Sequence, residues 1–396
     1  MLHSNPPASR TLPVAIAGAI TLAAVMGFGR FFYTPVLPAM MADLGLDAAQ
    51  GGLIAAGNFA GYLAGAVLAA YGWAAGRERR LALAALGANA ILLAAMGLAS
   101  TVPAFVIIRF LAGLASAFGL VFTSGIVLSH GLAAGDARVQ VVHFSGVGTG
   151  IALSSLLVLG LSPFETAGLA AWRLDWLVAA AFAGLALAAV ALLLPRGGTG
   201  GSGRPEPPLS WTRPFIALTA SYGLFGIGYV VTATFIVAIV REGGAAPWLE
   251  ALTWFVTGVT AALSLAFWKG PERRLGLLGS YRAALVLEAI GVGATVVLPS
   301  PASVLVGGVL LGATFMVITA YGLQLGRAMA PESPRRAFAI MTAAFGTGQI
   351  VGPLVAGWLA TRSGGYALPS LLAAAVLGLA ALSTLPATGG SSIKSR

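Results

Sequence analysis

The chain has 396 residues, of which 58% are hydrophobic and 9% charged, with a formal net charge of +10 and no cysteine. A soluble domain carries about 25% charged residues, and no soluble core of this size could hide so much apolar surface, so a water-soluble fold is excluded. The absence of cysteine removes disulfides and thiolate metal sites, and basic residues confined to short clusters between apolar runs exclude a nucleic-acid-binding face.

Unbroken apolar runs such as Trp176 to Leu194 lack the alternation of a membrane barrel strand, which leaves helices as the spanning element. The polar start, Met1 to Arg10, leads into an apolar run longer than a signal peptide, which is read as a first helix rather than a cleaved leader. About 20 apolar residues cross the hydrocarbon core. Twelve such spans follow in order, at 12–37, 48–71, 81–99, 103–129, 139–161 and 172–194, then 214–240, 248–268, 277–298, 302–329, 337–360 and 367–386. Between the two sets, 195–213 is rich in Gly, Pro and Ser and reads as a cytoplasmic linker. The expected organisation is a six-helix bundle over 1–194, the linker, a second six-helix bundle over 214–386 and a cytoplasmic tail over 387–396.

The basic residues fix an expected orientation. Sixteen fall on the side of the termini: Arg10, Arg77, Arg79, Arg80, Arg138, Arg196, Arg204, Arg213, Lys269, Arg273, Arg274, Arg327, Arg335, Arg336, Lys394 and Arg396. Three fall opposite (Arg173, Arg241 and Arg362), and Arg30, Arg109 and Arg282 lie within spans. This places both termini in the cytoplasm and the chain in the cell inner (plasma) membrane as a multi-pass protein.

The halves repeat. Gly148-Thr149-Gly150 recurs as Gly346-Thr347-Gly348, Pro103-Ala104 as Pro301-Ala302 and Arg138 as Arg336, each 198 residues on; Gly27-Phe28-Gly29 recurs as Gly226-Ile227-Gly228, and Glu78-Arg79-Arg80-Leu81 as Glu272-Arg273-Arg274-Leu275. Six spans separate the copies, so both halves run the same way and are related by an axis along the membrane normal.

The run from Gly27 through Arg30, Phe31, Phe32, Tyr33, Thr34 and Pro35 to Pro38, and the stretch from Asn58 to Gly65, resemble the first two helices of the YbfB/YjiJ-like family of the major facilitator superfamily. The resemblance implies an all-α, twelve-helix transporter of two pseudo-symmetric bundles. Arg109 followed by Gly113 is similar to the superfamily's fourth-helix pattern. Two features depart from it. Gly76 stands where the loop after helix two usually carries an acid, and helix five lacks the Gly-Pro pair of drug antiporters, the similar pair being Gly352-Pro353 in helix eleven.

A charge inside a span faces a watery cavity or a partner. Arg30 and Arg109 fall at matching depth, and in the implied fold both their helices line the central cavity. They form a candidate clamp for an anion, which guanidinium holds through two parallel hydrogen bonds; the other reading has Arg109 satisfying backbone carbonyls and Arg30 snorkelling outward. No acid falls in the expected spans of helices one, four, seven or ten. Tyr33, Asn58 and Tyr62 are candidate pocket residues or packing residues. Tyr222, Phe225 and Tyr229 form either an aromatic wall or a core stripe, and Gln349 a substrate contact or interhelical glue. Glu288 and His143 are candidates for proton coupling or for local structural bonds; Arg282 is expected to snorkel.

Three scattered histidines and the lack of a phosphate-binding Gly-rich Lys loop point to no enzyme, metal or cofactor. The expected function is secondary active transport of a small organic anion, carboxylate-like, by alternating access, as a monomer in the bilayer with protons as a candidate coupling ion. The alternatives are efflux of amphiphilic or drug-like compounds and a non-transporting membrane sensor or scaffold.

Overall fold

A computed structural model describes residues 11–71, 73–161, 170–195 and 206–385. Linker residues 196–205, the tail at 387–396 and the basic residues they contain lie outside the described residues, as does Arg10. The first bundle comprises α1 (Thr11–Leu44), α2 (Ala48–Ala70), α3 (Glu78–Leu98), α4 (Val102–Ala133), α5 (Arg138–Leu161) and α6 (Ala171–Leu193). The second comprises α7 (Arg213–Glu242), α8 (Pro247–Phe267), α9 (Lys269–Val297), α10 (Ala302–Met329), α11 (Pro334–Ser363) and α12 (Ala367–Ser383). Eleven of the twelve are long and apolar enough to span; α12, at 17 residues, is a shorter apolar helix.

Two boundaries differ from the sequence reading for physical reasons. α1 runs seven residues beyond the expected end at 37, because Pro38 sits inside the helix without ending it and the chain turns only at Gly45, in the left-handed region at φ 64°. α9 begins at Lys269, but Gly276 (φ 68°, ψ 176°) breaks it, so the polar first turns bend away from the spanning part. Elsewhere local chemistry sets the starts. Asp47 and Gln50 form a reciprocal capping box on α2, and Thr101 and Thr212 cap α4 and α7 just ahead of a proline.

The internal repeat is visible in the packing. Asn58 Nδ2 of α2 donates to Arg109 O of α4 at 3.0 Å, and 199 residues on Thr257 Oγ1 of α8 donates to Gly308 O of α10 at 3.0 Å. A Cβ on Gly113 would stand 2.0 Å from Asn58 O, and one on Gly312 2.1 Å from Thr257 O. Glycine at these positions lets the paired backbones touch, the small-residue packing that membrane helices use in place of hydrophobic driving force.

The bundles meet where α2 packs on α11 and α5 on α8. Gly52 faces Pro353, Gly357 faces Ala48, and Gly148 faces Gly258 and Ala262. Thr34 Oγ1 donates to Ala233 O (2.6 Å), Ala49 N to Thr361 Oγ1 (3.0 Å) and Ser155 Oγ to Ala251 O (2.6 Å). These hydrogen bonds lie between the middle of the bundle and the end opposite the termini. Among the described residues, no hydrogen bond joins the two bundles at the termini end. The far end is therefore closed by cross-bundle contacts.

Candidate functional site

The site begins with an irregularity in α1. From Ala23 to Phe31 the helix is π-helical, a form that is rare and frequent at functional sites. Its wider turn leaves carbonyls without the regular i−4 donor, and Pro35 lacks the N–H that would reach back to this turn. Side chains of neighbouring helices supply the missing donors. Asn89 Nδ2 of α3 donates to Ala24 O (3.1 Å), while Arg109 of α4 donates from Nη1 to Gly29 O (2.9 Å) and from Nη2 to Arg30 O (2.7 Å). The glycines of the motif make this possible, since a Cβ on Gly29 would stand 2.2 Å from Asn89 Oδ1 and one on Gly27 2.4 Å from the backbone of Gly150.

Arg109 thus reaches the backbone of Arg30, with both terminal nitrogens committed to carbonyls and its Nε alone buried without a partner. Its guanidinium also lies over the Tyr33 ring, 5.1 Å from the centroid. Tyr33 in turn donates its hydroxyl to Gly51 O (3.0 Å), bracing α1 against α2. Asn58 is sealed, with its amide nitrogen on Arg109 O. These three residues build the support around Arg30.

Arg30 differs in kind. It is 4% exposed, so it does not snorkel. Its guanidinium carbon stands 4.0 Å from the Tyr62 centroid, 4.8 Å from that of Phe59 and 5.5 Å from that of Phe31, a cage that favours a cation electrostatically. Yet its Nε and Nη2 are buried without a hydrogen-bond partner. Those two N–H groups lie on one edge of the planar guanidinium and point the same way, which is the fork that takes a carboxylate through parallel bonds.

Across the bundle interface stands an aromatic stack. Phe31 meets Phe315 of α10 edge-on at 6.0 Å; Phe315 lies parallel to Tyr229 at 6.0 Å; Tyr229 and Phe345 of α11 stack at 5.6 Å, and Phe345 stacks on Tyr222 at 5.0 Å. Gln349 Nε2 donates to the Tyr229 hydroxyl, and Tyr222 donates its own to Thr319 O (3.1 Å). A void of about 10 Å³ remains between the bundles, bordered by Phe31, Tyr229 and Phe315 among others, room for no more than one water. A larger cleft, about 260 Å³, opens at the far end of the second bundle beside Glu242 and Tyr366, away from Arg30.

The other candidates are placed as follows. Glu288 is completely buried in α9, and both carboxyl oxygens are unpartnered. Tyr229 of α7 is within electrostatic range of both Arg30 and Glu288. His143 of α5 lies apart, its Nε2 hydrogen-bonded to Ser124 Oγ (2.8 Å) and its ring fitted against Gly18. Arg282 is half-buried; its Nε donates to Thr384 Oγ1 (2.9 Å) and a terminal nitrogen to Thr384 O, capping the end of α12 on the side of the termini. Phe31, Phe59, Phe315, Phe345 and Asn89 escape sequence reasoning, because aromatic and amide side chains in apolar spans carry no signal that separates pocket from packing.

The chain is similar to several known proteins. A family profile described as "Uncharacterised MFS-type transporter YbfB" matches residues 22–385. No curated protein matches the chain. Among solved structures, a mutant of the nucleoside transporter NupG superposes with a TM-score of 0.75 at 14% identity, over 96% of this chain and 100% of that one. NupG itself gives 0.71 at 15%, over 96% and 100%. A bacterial homologue of the human lysosomal transporter Spinster, inward-facing and occupied, gives 0.68 at 16%, over 97% and 98%. At these identities the likeness is one of fold.

Proposed function

As a member of the YbfB family of MFS-type transporters, the chain is a multi-pass membrane transporter of small molecules rather than an enzyme, and we propose that its substrate is a small organic carboxylate. The observation that carries this reading is the Nε–Nη2 edge of Arg30, sealed from solvent, caged by aromatic rings and without a partner. A buried charge normally finds a counter-charge or hydrogen-bond acceptors. Arg109 has backbone carbonyls; Arg30 lacks an acceptor on this edge, and a substrate carboxylate supplies two.

The two bundles rock about this centre, with both termini in the cytoplasm by the distribution of basic residues and the chain acting as a monomer in the inner membrane. In that orientation, closure of the far end makes the state inward-facing. The stack from Tyr222 to Phe315 favours a substrate with a planar apolar part. The stack alone would also suit an uncharged planar compound or an amphiphile for efflux, and one structural neighbour is a nucleoside transporter.

The test is a thermal-stability screen of the purified protein against benzoate, short aliphatic carboxylates, nucleosides and amphiphilic cations, with Arg30→Ala beside it. Stabilisation by carboxylates that disappears in the variant supports the reading. Stabilisation by nucleosides or cations alone, equal in both proteins, overturns it in favour of the aromatic stack as the selective element.

A further inference from the structure

We infer that Glu288 is a proton-binding site of the transport cycle, carrying its proton while the far end is closed and releasing it when that end opens. The inference uses the alternating-access reading above but not the identity of the substrate.

The argument starts from the repeat. α3 ends at Leu98 and α9 at Val297, so Asn89 and Glu288, also 199 residues apart, occupy equivalent positions. Both are 0% exposed. The first bundle fills its position with a neutral amide that donates to a carbonyl of α1. The second fills the same niche with a carboxyl, and a carboxylic acid that keeps its proton is the neutral counterpart of that amide. An ionised carboxylate there would be a buried charge with neither oxygen bonded, the arrangement that proteins avoid by neutralising the group.

The neighbours offer no counter-charge, and one hydroxyl, that of Thr314 of α10, lies within reach of the carboxyl. α12 carries no charged residue, and on α10 the charged side chain is Arg327, near the helix end. Thr314 of α10 lies beside the carboxyl, but its hydroxyl is donated to Leu310 O (2.6 Å). On α8, Glu250 is paired with Arg241 at 2.7 Å. On α9 itself, Tyr281 is bonded to Ser221. From α7 the facing titratable group is Tyr229, whose hydroxyl already holds Gln349, and the cation beyond it is Arg30 of the other bundle.

Glu288 is nine residues from the far end of α9, about 14 Å at 1.5 Å per residue. In this state the carboxyl is sealed: the cleft at the far end of the second bundle reaches α9 no deeper than Thr295, and the bundle interface is shut by the contacts of α2 with α11 and of α5 with α8. Opening the far end brings water toward the carboxyl and removes the reason to hold the proton. By linkage, protonation of Glu288 must then favour the closed far end.

The chain has no cysteine, so labels can be placed at chosen sites alone. Spin labels on Ala42→Cys and Ala246→Cys, exposed far-end positions on opposite bundles, report the gap across the far end in lipid nanodiscs as pH is varied. The wild-type background should show the short distance at low pH and a growing long-distance population as pH rises. With Glu288→Gln added, the short distance should persist at every pH. In parallel, infrared spectra of the unlabelled wild type should contain a protonated-carboxyl band that shifts in D2O and is lost in Glu288→Gln but not in Asp175→Asn, the control for the other buried acid with an unpartnered oxygen. A band that survives Glu288→Gln, or a pH response unchanged in that variant, overturns the proposal. A distance that moves with benzoate but not with pH overturns the proton site alone. A distance that moves with neither overturns the alternating-access reading with it.

Discussion

Replacing Arg109 with Met should destabilise the protein while keeping a side chain of similar reach in the same packing space. Two hydrogen bonds vanish, at 2.9 Å to Gly29 O and 2.7 Å to Arg30 O. Bonds from a charged donor contribute about 1.5–3 kcal/mol each, so the gross loss is about 3–6 kcal/mol. Removing a buried guanidinium also relieves its desolvation, and interhelical hydrogen bonds in membranes average only about 0.6 kcal/mol, because the unfolded chain finds partners in lipid. The net expectation is about 2–3 kcal/mol. Unfolding by SDS titration in mixed micelles, followed through the chain's eight tryptophans, measures it. Arg109→Lys should recover only part, since one compact ammonium cannot span two carbonyls in the fork geometry. An Arg109→Met protein within about 0.5 kcal/mol of wild type would refute the claim that this side chain holds the π-helical turn.

The repeat predicts that Gly113→Ala and Gly312→Ala carry similar penalties, because each new Cβ would press on an equivalent backbone at 2.0 and 2.1 Å. Overpacking of this kind costs about 1–3 kcal/mol, and the same SDS titration reads it; a large effect at one site and none at the other would speak against equivalent packing. Outside the membrane, the side chain and then the backbone N–H of Arg138 hold the Asp136 carboxyl below its ordinary range. A depressed value means that the pair stabilises the fold above the unfolded carboxylate value, about 3.9, and that this is lost as pH falls through the folded value. The gap in melting temperature between wild type and Asp136→Asn should therefore be present at pH 6 and close below about pH 4. At Glu206, burial pushes the carboxyl up, but the Arg335 side chain and the amides of Arg335 and Arg336 outweigh it and hold it low. Glu206→Gln should follow the same pH pattern, loosening the start of α11.

The twelve helices were legible because a bilayer requires long apolar runs, and the two bundles because glycine contacts such as those at Gly150 and Gly348 leave marks in the sequence at near-constant spacing. Arg30 stood out because a guanidinium in an apolar span demands an explanation. Its division of labour with Arg109 did not, since the π-helical turn that creates acceptors for Arg109 depends on how α1 meets α3 and α4, and hydropathy carries no trace of that register. The reach of α1 to Leu44 was hidden by prolines that normally end helices, here tolerated because neighbouring helices enclose the turn. Glu288 was visible as an acid in a span; that both of its oxygens end up buried without a partner depends on the packing of α9 on α10 and α12.

The most direct test of a carboxylate held by Arg30 is calorimetric titration of benzoate and short aliphatic acids into purified wild type, Arg30→Lys and Arg30→Ala. Two charge-assisted bonds of about 1.5–3 kcal/mol each correspond to a loss of at least about 100-fold in affinity for Arg30→Ala, with Arg30→Lys between it and wild type because its charge remains while the fork is lost. Equal affinity in wild type and Arg30→Ala, or no carboxylate binding to the wild type at all, would contradict the account.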